Sequence, residues 1–181
     1  MSPFRPDLID CWIYRAGTAG RAGTAGGDGP AGGDGPSGPE ILLIRRAPGR
    51  ILPGLWQCVS GSLEDGERVS EGALREVEEE TGFGGEAILA FYDLDLVNQF
   101  HEPSVDAVMT SAVFAVRVGP AAEVRLSHEH DGARWLPLDD AHREVIWPGY
   151  RTAIERIRDD LSDVERARWF ELTTAGQRAH H

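Results

Sequence analysis

The fold of this chain is decided by the stretch from Gly61 to Phe83, which reads Gly-Ser-Leu-Glu-Asp-Gly-Glu-Arg-Val-Ser-Glu-Gly-Ala-Leu-Arg-Glu-Val-Glu-Glu-Glu-Thr-Gly-Phe. It predicts a loop that turns at Gly66, followed by one helix that ends at Gly82, because glycine readily takes the positive φ of a turn and of a helix C-cap. At about 100° per residue the helix carries one apolar stripe, made of Val69, Ala73, Leu74 and Val77. We therefore expect the helix to pack along this stripe against a core.

Three glutamates lie beside the apolar stripe. Glu76, Glu79 and Glu80 follow one another at i, i+3 and i+4 and share one arc of the helix. Like charges at this spacing destabilise a helix by about 0.2–0.5 kcal/mol per pair, whereas three hard oxygen ligands on a rigid face suit a divalent cation such as Mg²⁺. The alternative is a solvated acidic face, in which Arg75 pairs with Glu71 and Glu79 one turn away. The helix alone leaves both interpretations open.

The order of residue types from Gly61 to Phe83 resembles the Nudix box, G-x5-E-x7-R-E-U-x-E-E-x-G-U, where U is a bulky apolar residue. Every specified position of the pattern is matched in this chain. The resemblance implies an α+β protein, a Nudix-type α/β/α sandwich with a mixed sheet and a loop–helix catalytic motif. It also implies hydrolysis of a nucleoside diphosphate linked to a further moiety.

The resemblance also assigns roles to individual residues. Glu76, Glu79 and Glu80 correspond to the family's metal-binding and base glutamates, and which of them accepts a proton from water stays open. Glu67 corresponds to the loop glutamate, and Arg75 to the arginine that orients the carboxylates. The implied metal is Mg²⁺, with Mn²⁺ as the alternative. The backbone carbonyl of Ser60 is a further candidate ligand.

A candidate ligand from outside the box is Glu129. The spacing Glu-His-x4-Trp that begins there is similar to a segment of bacterial dihydroneopterin triphosphate pyrophosphatases, in which this glutamate binds metal. Two histidines, His128 and His130, flank Glu129. A transition-metal site is one interpretation of them. The interpretation we prefer is that both are exposed histidines of a loop.

The densest basic cluster before the helix is formed by Arg45, Arg46 and Arg50. An arginine fork suits bidentate contact with phosphate oxygens, so these side chains are candidates for substrate binding. Ordinary surface charges after a strand are the equally weighted alternative.

The chain lacks motifs that are typical of several Nudix subfamilies, and these differences indicate the class of substrate. Val59-Ser60-Gly61 stands where coenzyme A hydrolases carry Phe-Pro-Gly-Gly, and Asn98 and Gln99 stand where ADP-ribose hydrolases place a proline. The tyrosine typical of diadenosine polyphosphate hydrolases is also absent from that neighbourhood. These differences favour a nucleoside triphosphate or pterin triphosphate as substrate, with release of pyrophosphate. Diadenosine polyphosphate, ADP-ribose and nucleotide sugars remain alternatives, as does a non-catalytic Nudix binding module.

The composition of the chain limits the kinds of partner that we expect it to bind. The chain has 181 residues and a net charge of −12, which argues against binding a nucleic-acid polymer or an anionic membrane. Without an apolar run of membrane-spanning length or a signal-peptide pattern, a cytoplasmic location is expected. The two cysteines, Cys11 and Cys58, are interpreted as core residues. We expect one domain over residues 1–181, and its oligomeric state stays open, with a homodimer as one option.

The remaining chain predicts a strand–helix alternation. A Gly/Ala-rich stretch at 16–39 is interpreted as a flexible insertion between two paired strands, with a substrate lid as the less favoured alternative. The predicted strands cover 8–14, 41–44, 56–61, 87–97, 107–118 and 134–138, and the predicted helices cover 138–144 and 150–161. Ser162 is expected to cap a further short helix that continues through Phe170 and Leu172. Residues 98–103 are predicted to form a polar loop, in which His101 or Glu102 is a candidate base or substrate contact.

Overall fold

A computed structural model describes residues 5–17 and 38–180 of the protein. The strands are β1 (Leu8–Arg15), β2 (Glu40–Arg46), β3 (Trp56–Gln57), β4 (Val59–Ser62), β5 (Ile88–Glu102), β6 (Ala107–Val118), β7 (His130–Pro137) and β8 (Glu171–Leu172). The helices are α1 (Val69–Thr81), α2 (Leu138–Glu144), α3 (Pro148–Arg156) and α4 (Val164–Ala167), with a short 3₁₀ turn at Gly85–Ala87 and a π-helical turn at Ile157–Leu161.

One mixed sheet organises the described residues. Its strand order is β3-β2-β1-β6-β5-β8, while β4 pairs with β1 and β7 pairs with β2. The pair β1–β6 is parallel and the other pairs are antiparallel. The antiparallel pairing of β1 with β2, from Ile13 opposite Leu42 to Arg15 opposite Glu40, confirms the predicted strand pair. Of the predicted insertion at 16–39, residues 18–37 lie outside the described part of the chain.

Both faces of the sheet are buried. Along β1, Ile9, Cys11 and Ile13 face the core shared with α1, whereas Trp12 and Tyr14 face the core shared with α2 and α3. This alternation follows from the two-residue period of a strand whose two faces are both covered by helices. The α/β/α sandwich implied by the resemblance is therefore confirmed. Cys11 and Cys58 are both buried, as predicted.

The polar loop predicted at 98–103 is wrong. Strand β5 continues to Glu102, and Asn98–Glu102 pair with Ala107–Ser111 across a hairpin whose turn lies at 103–106. Pairing with β6 satisfies the backbone here in spite of the polar side chains. The His101 side chain forms a hydrogen bond with Asp106, and the Glu102 carboxylate accepts hydrogen bonds from Ser104. Both side chains therefore stabilise the turn of the hairpin.

The C-terminal region departs from prediction in two details. The N-cap of α4 is Asp163, whose carboxylate accepts the backbone N–H groups of Glu165 and Arg166. The hydroxyl of Ser162 instead donates to the carbonyl of Ile157. The helix predicted through Phe170 and Leu172 is wrong at its end, because α4 stops at Ala167 and Glu171–Leu172 form strand β8, which pairs with β5. Among the described residues, no helix is both long and apolar enough to cross a membrane.

Candidate active site: carboxylates between α1 and β4

Helix α1 has well-defined ends. At its start, the carboxylate of Glu71 accepts the backbone N–H of Arg68. At its end, Gly82 takes φ 74°, and its N–H donates to the carbonyl of Glu78 at 2.8 Å. The predicted turn at Gly66 also has positive φ, 79°. The apolar stripe packs on the sheet as predicted, with Ala73 and Val77 fully buried. These ends and this packing fix the rotation of the helix and hence the direction of its glutamates.

The carboxylate of Glu76 lies against the backbone of Gly61 in β4. A β-carbon at position 61 would overlap this carboxylate, so only glycine permits the approach. Gly72 has the same function one turn earlier, where a β-carbon would crowd the side chains of Leu63 and Glu67. Gly61, a fixed position of the sequence motif, and Gly72, which is not one, thus both allow carboxylates to lie close to the backbone.

Arg75 connects most of the acidic side chains. Its guanidinium donates to Glu67 at 2.8 and 3.1 Å, to Glu76 at 2.9 Å and to Glu79 at 3.1 Å. It also donates to the carbonyl of Ser62 at 3.0 Å. The pairing of Arg75 with Glu71, which belonged to the alternative of a solvated acidic face, is not formed, because Glu71 accepts the backbone N–H of Arg68 instead. Arg75 therefore lies in the middle of the carboxylates and not on a separate solvated face.

Glu67 is held as an anion. The Arg75 guanidinium beside it lowers the pKa of its carboxyl group, and the backbone N–H of Glu64 also donates to it, at 3.0 Å. The pKa of Arg75 is raised in turn, mainly by Glu67. Glu67 and Arg75 thus form a charged pair that joins the loop to the helix.

Glu80 is in a different environment. The residue is only 5% exposed, and its Oε2 is buried without a hydrogen-bond partner. Burial, followed by the negative charges of Glu76 and Glu129, raises the pKa of Glu80 to about 8. Burial also raises the pKa of Glu76, although Arg75 opposes this effect. A buried carboxyl group beside two others therefore keeps its proton near neutral pH, and a bound cation would compensate its charge once the proton is lost.

The segment before β7 brings Glu129 to the helix. The backbone N–H of Ser127 donates to the carbonyl of Glu80 at 3.2 Å, and that of Arg125 donates to Thr81 at 2.9 Å. These bonds fasten the segment to the last turn of α1, where carbonyls have no partner within the helix. The carboxylate of Glu129 is then close enough to influence Glu76 and Glu80 electrostatically.

Strand β4 brings the backbone of Ser60 next to Glu80. Ser60 precedes Gly61, and its backbone N–H interacts with the carboxylate of Glu80, which partly offsets the rise in that pKa. Strand β4 therefore carries the Ser60 backbone past both Glu76 and Glu80.

The three candidate substrate-binding arginines do not stay together. Arg50 pairs with Glu129 at 3.0 Å, and the positive charge of Arg46 reaches Glu80. Arg45 instead pairs with Asp131 at 2.7 Å and lies over the ring of Trp56. Successive residues of a strand point to opposite faces, which separates Arg45 from Arg46. Only Arg46 and Arg50 lie on the carboxylate side.

The two histidines that flank Glu129 also differ. His128 is exposed, as predicted, and its Nε2 lies 2.7 Å from Arg50. The prediction is wrong for His130, which opens β7 opposite Arg46 and is buried, with its Nδ1 unpartnered. Burial and the charge of Arg46 lower the pKa of His130. The length of β7, which starts four residues before the predicted strand, explains why sequence reasoning placed His130 in a loop.

The residues present fit a divalent cation of the Mg²⁺ type. The donors are oxygens, and the unpartnered oxygen of Glu80 is buried among like charges, which is the environment that a cation stabilises. In the described part of the chain, no three His, Cys, Asp or Glu side chains are already arranged to hold a metal ion. These carboxylates form ion pairs with arginines instead: Arg75 pairs with Glu67, Glu76 and Glu79, and Arg50 pairs with Glu129.

Sequence reasoning missed several buried polar residues near the site. Gln57 accepts a hydrogen bond from Arg46 at 3.3 Å, and its Nε2 is buried without a partner. Asp10 is buried behind Ser60, where Asn98 donates to it at 3.0 Å, and burial raises its pKa. A carboxylate inside the apolar run of β1 was the available signal for Asp10. Nothing local in the sequence indicated its partner Asn98, 88 positions away.

A mixed sheet covered by helices on both faces, with a loop–helix unit rich in carboxylates beside β4, defines the class of fold to which the protein belongs. The chain belongs to the Nudix family, since the family model described as "NUDIX domain" matches residues 33–157, more than half of the chain.

Two curated relatives are similar over part of their length. An octanoyltransferase of Myxococcus xanthus is 38% identical over 119 residues, which are 65% of this chain and 32% of that protein. Nudix hydrolase 6 of Arabidopsis thaliana is 29% identical over 104 residues, which are 56% of this chain and 35% of that protein. The chain thus matches about a third of the length of each relative.

Solved structures share the fold. A NUDIX hydrolase structure from Listeria monocytogenes has a TM-score of 0.64 and 20% identity, with coverage of 87% of this chain and 95% of that one. The dihydroneopterin triphosphate pyrophosphohydrolase of E. coli has a TM-score of 0.57 and 22% identity, with coverage of 84% and 97%. At these identities the likeness concerns the fold.

Proposed function

We propose that this protein hydrolyses a phosphoanhydride bond of a nucleoside triphosphate or pterin triphosphate and releases pyrophosphate. The observation that carries the proposal is the unpartnered, buried carboxylate of Glu80 beside Glu76 and Glu129, within a box that keeps every glutamate. Non-catalytic binding alone would not require this concentration of negative charge.

Nudix hydrolases use divalent metal ions, and we propose Mg²⁺ here, with Mn²⁺ as the alternative. The carboxylates of Glu76, Glu79, Glu80 and Glu129 and the carbonyl of Ser60 would hold the metal. When bound, it supplies charge neutralisation for the phosphates and lowers the pKa of the attacking water.

The remaining residues of the box position these carboxylates. Arg75 holds Glu76 and Glu79 through its guanidinium, and Glu67 fixes Arg75 from the loop. The proton of the attacking water passes to Glu76 or to Glu79. Glu79, whose side chain is 58% exposed, is the more accessible of the two to a water and is our first choice.

Arg46 and Arg50 are proposed to contact the phosphates. Both lie on the side of the carboxylates, and each guanidinium can offer two donors to phosphate oxygens. Arg46 donates to Gln57 at 3.3 Å, and its positive charge reaches Glu80. The proposal does not include Arg45, because it faces Trp56 and Asp131.

The substrate class rests on the sequence around the box and on the net charge of −12, which suits a small anionic substrate better than a nucleic-acid polymer. The acyl-transfer activity that names the Myxococcus relative is not assigned to this chain, because two thirds of that protein lie outside the match. Diadenosine polyphosphates, ADP-ribose and nucleotide sugars are the alternatives that an assay separates.

The test is an assay of nucleoside triphosphates, dihydroneopterin triphosphate, ADP-ribose and diadenosine tetraphosphate with Mg²⁺, with Mn²⁺ and with EDTA. We expect a triphosphate to be hydrolysed to a monophosphate and pyrophosphate, with complete loss in EDTA and strong loss in Glu79→Gln. Activity that persists in EDTA would contradict the mechanism. Orthophosphate as the main product, or a preference for ADP-ribose, would contradict the substrate class.

A further inference from the structure

The loop that joins β2 to β3 is a compact unit. Its base is closed by two backbone hydrogen bonds between Arg46 and the far side of the loop, to Leu55 at 3.0 Å and from Gly54 at 2.9 Å. Inside the loop, Arg50 N–H donates to Ala47 and Leu55 N–H donates to Leu52. Loops of this size with close ends have a defined shape and frequently carry function.

The loop is attached directly to the carboxylate site. The N–H of Ala47 donates to the carbonyl of Glu129 at 2.9 Å, and the Arg50 side chain reaches the carboxylate of Glu129 at 3.0 Å and His128 at 2.7 Å. The residues after Arg50 are therefore held beside the place where we propose that phosphates bind.

Two large apolar side chains stand at the tip of this loop. Ile51 is 68% exposed and Leu52 is 53% exposed, and they follow Arg50 directly in the chain. Leu52 also has φ 53°, a left-handed conformation that a bulky L-residue rarely adopts. Glycine or asparagine would adopt this conformation at lower cost, so the leucine side chain is held in water, beside an acidic site, against its backbone preference.

We propose that Ile51 and Leu52 bind the apolar moiety of the substrate, the part joined to the phosphates that Arg50 contacts. Pyrophosphate offers no apolar surface, so the tip would contact the other end of the substrate, the flat ring of the base or of the pterin. Ile51 and Leu52 follow Arg50 directly within a loop that is bonded to Glu129, so the tip lies close in the chain to the side chain that we propose contacts the phosphates. This inference rests on the proposed function for the position of the phosphates.

The experiment measures equilibrium binding to the intact protein and needs no turnover. The probes are guanosine monophosphate and dihydroneopterin monophosphate for a ring, geranyl phosphate for an aliphatic group, and ribose 5-phosphate for neither. The variants are Ile51→Ser and Leu52→Asn. Asparagine tolerates the left-handed conformation, so the loop shape is kept. The matched control is Val164→Ser, which removes an apolar side chain that is 82% exposed on α4.

We expect Leu52→Asn and Ile51→Ser each to weaken binding of guanosine monophosphate or dihydroneopterin monophosphate about tenfold, or about 1.4 kcal/mol. Ribose 5-phosphate should bind equally to all variants, and Val164→Ser should behave as the wild type. A loss of affinity for geranyl phosphate but for neither ring-bearing monophosphate would overturn the assignment of a ring. Equal affinity of the wild type for ribose 5-phosphate and for every apolar probe would overturn the inference, as would an equal loss for ribose 5-phosphate in the variants. If the ring-bearing probes lose affinity as expected but no triphosphate is hydrolysed, the proposed function fails while the binding role of the tip stands.

Discussion

The carboxylate of Glu76 lies so close to the backbone of Gly61 that no β-carbon fits between them. This contact joins the glutamate-bearing helix to strand β4 and, through it, to the Ser60 backbone. Glycine at position 61 is thus a steric requirement of the proposed metal site.

Replacing this glycine should disturb the site more than the fold. In Gly61→Ala the added methyl group displaces the Glu76 carboxylate, and a misplacement of about 1 Å can cost about a hundredfold in rate. We expect kcat/KM to fall by about that factor while the melting temperature changes little. Steady-state kinetics and thermal unfolding measure the two effects. Gly119→Ala is the control, because a β-carbon there meets no atom within 4 Å. Equal activities of the two variants would show that the contact is unimportant.

Arg75 should not be replaceable by lysine. Its guanidinium serves Glu67, Glu76, Glu79 and the carbonyl of Ser62 at once, a geometry that an ammonium group cannot reproduce. Hydrogen bonds to charged groups contribute about 1.5–3 kcal/mol each to stability. Arg75→Ala should therefore lower the free energy of unfolding by at least this amount, and it should also lower the activity. Arg75→Lys should restore stability in part and activity hardly at all.

Chemical denaturation and metal titration of both Arg75 variants provide the measurement. The control is Arg168→Ala, which removes an exposed i,i+3 ion pair of the kind worth about 0–1 kcal/mol. Full activity in Arg75→Lys would mean that only the charge matters at this position.

Stability without metal should fall as pH rises. The pKa of Glu80 is raised to about 8 in the folded protein, from an ordinary value of 4.5. Between these two values the folded state binds more protons than the unfolded state, so the free energy of unfolding decreases with pH, by at most about 1.4 kcal/mol per pH unit from this group. Thermal unfolding in EDTA from pH 5 to pH 8 should show the decrease, and Glu80→Gln should reduce it. The same slope in both proteins would place its origin elsewhere.

Metal binding should show the opposite pH dependence. Because ligands must be deprotonated, Mg²⁺ or Mn²⁺ has to displace the proton of Glu80, and the affinity should weaken as pH falls below about 8. Titration with Mn²⁺ at several pH values, with detection of the released proton, measures this linkage. Binding without proton release at pH 7 would contradict the role of Glu80 as a ligand.

The hydrogen bond between Asn98 of β5 and Asp10 of β1 should stabilise the fold. Asn98 donates to the buried Asp10 carboxylate at 3.0 Å, and the loss of a partner to a buried group costs about 1–3 kcal/mol. Asn98→Ala should lower the free energy of unfolding by that amount, whereas Gln99→Ala, at the exposed neighbouring position, should have little effect. Urea denaturation compares the two variants, and indistinguishable midpoints would disprove the contribution.

Several elements could be predicted from the sequence alone because their signals are local. Strand β6 and helix α2 begin and end where predicted, and α1 ends at Gly82 as its φ of 74° requires. The carboxylate arc on α1 was likewise readable, since helix periodicity alone places Glu76, Glu79 and Glu80 together.

Predictions failed where distant contacts decide the outcome. The segment Asn98–Glu102 became strand because β6 pairs with it, and Asp163 caps α4 in place of Ser162. His130 is buried because β7 pairs with β2 as far as Arg46, and no local sequence pattern predicted this length of the strand.

The sequence by itself determined the class of chemistry, because the spacing of glycines, glutamates and one arginine along a single helix and its loop is a local property. The tertiary structure decided which groups meet around that helix. It placed Glu129 near Glu80 and Arg50 against Glu129, turned Arg45 away to the other face of the sheet, and left Ile51 and Leu52 exposed. These relations depend on strand pairing and on packing between residues far apart in the chain, and the spacing of residues along one segment does not encode them.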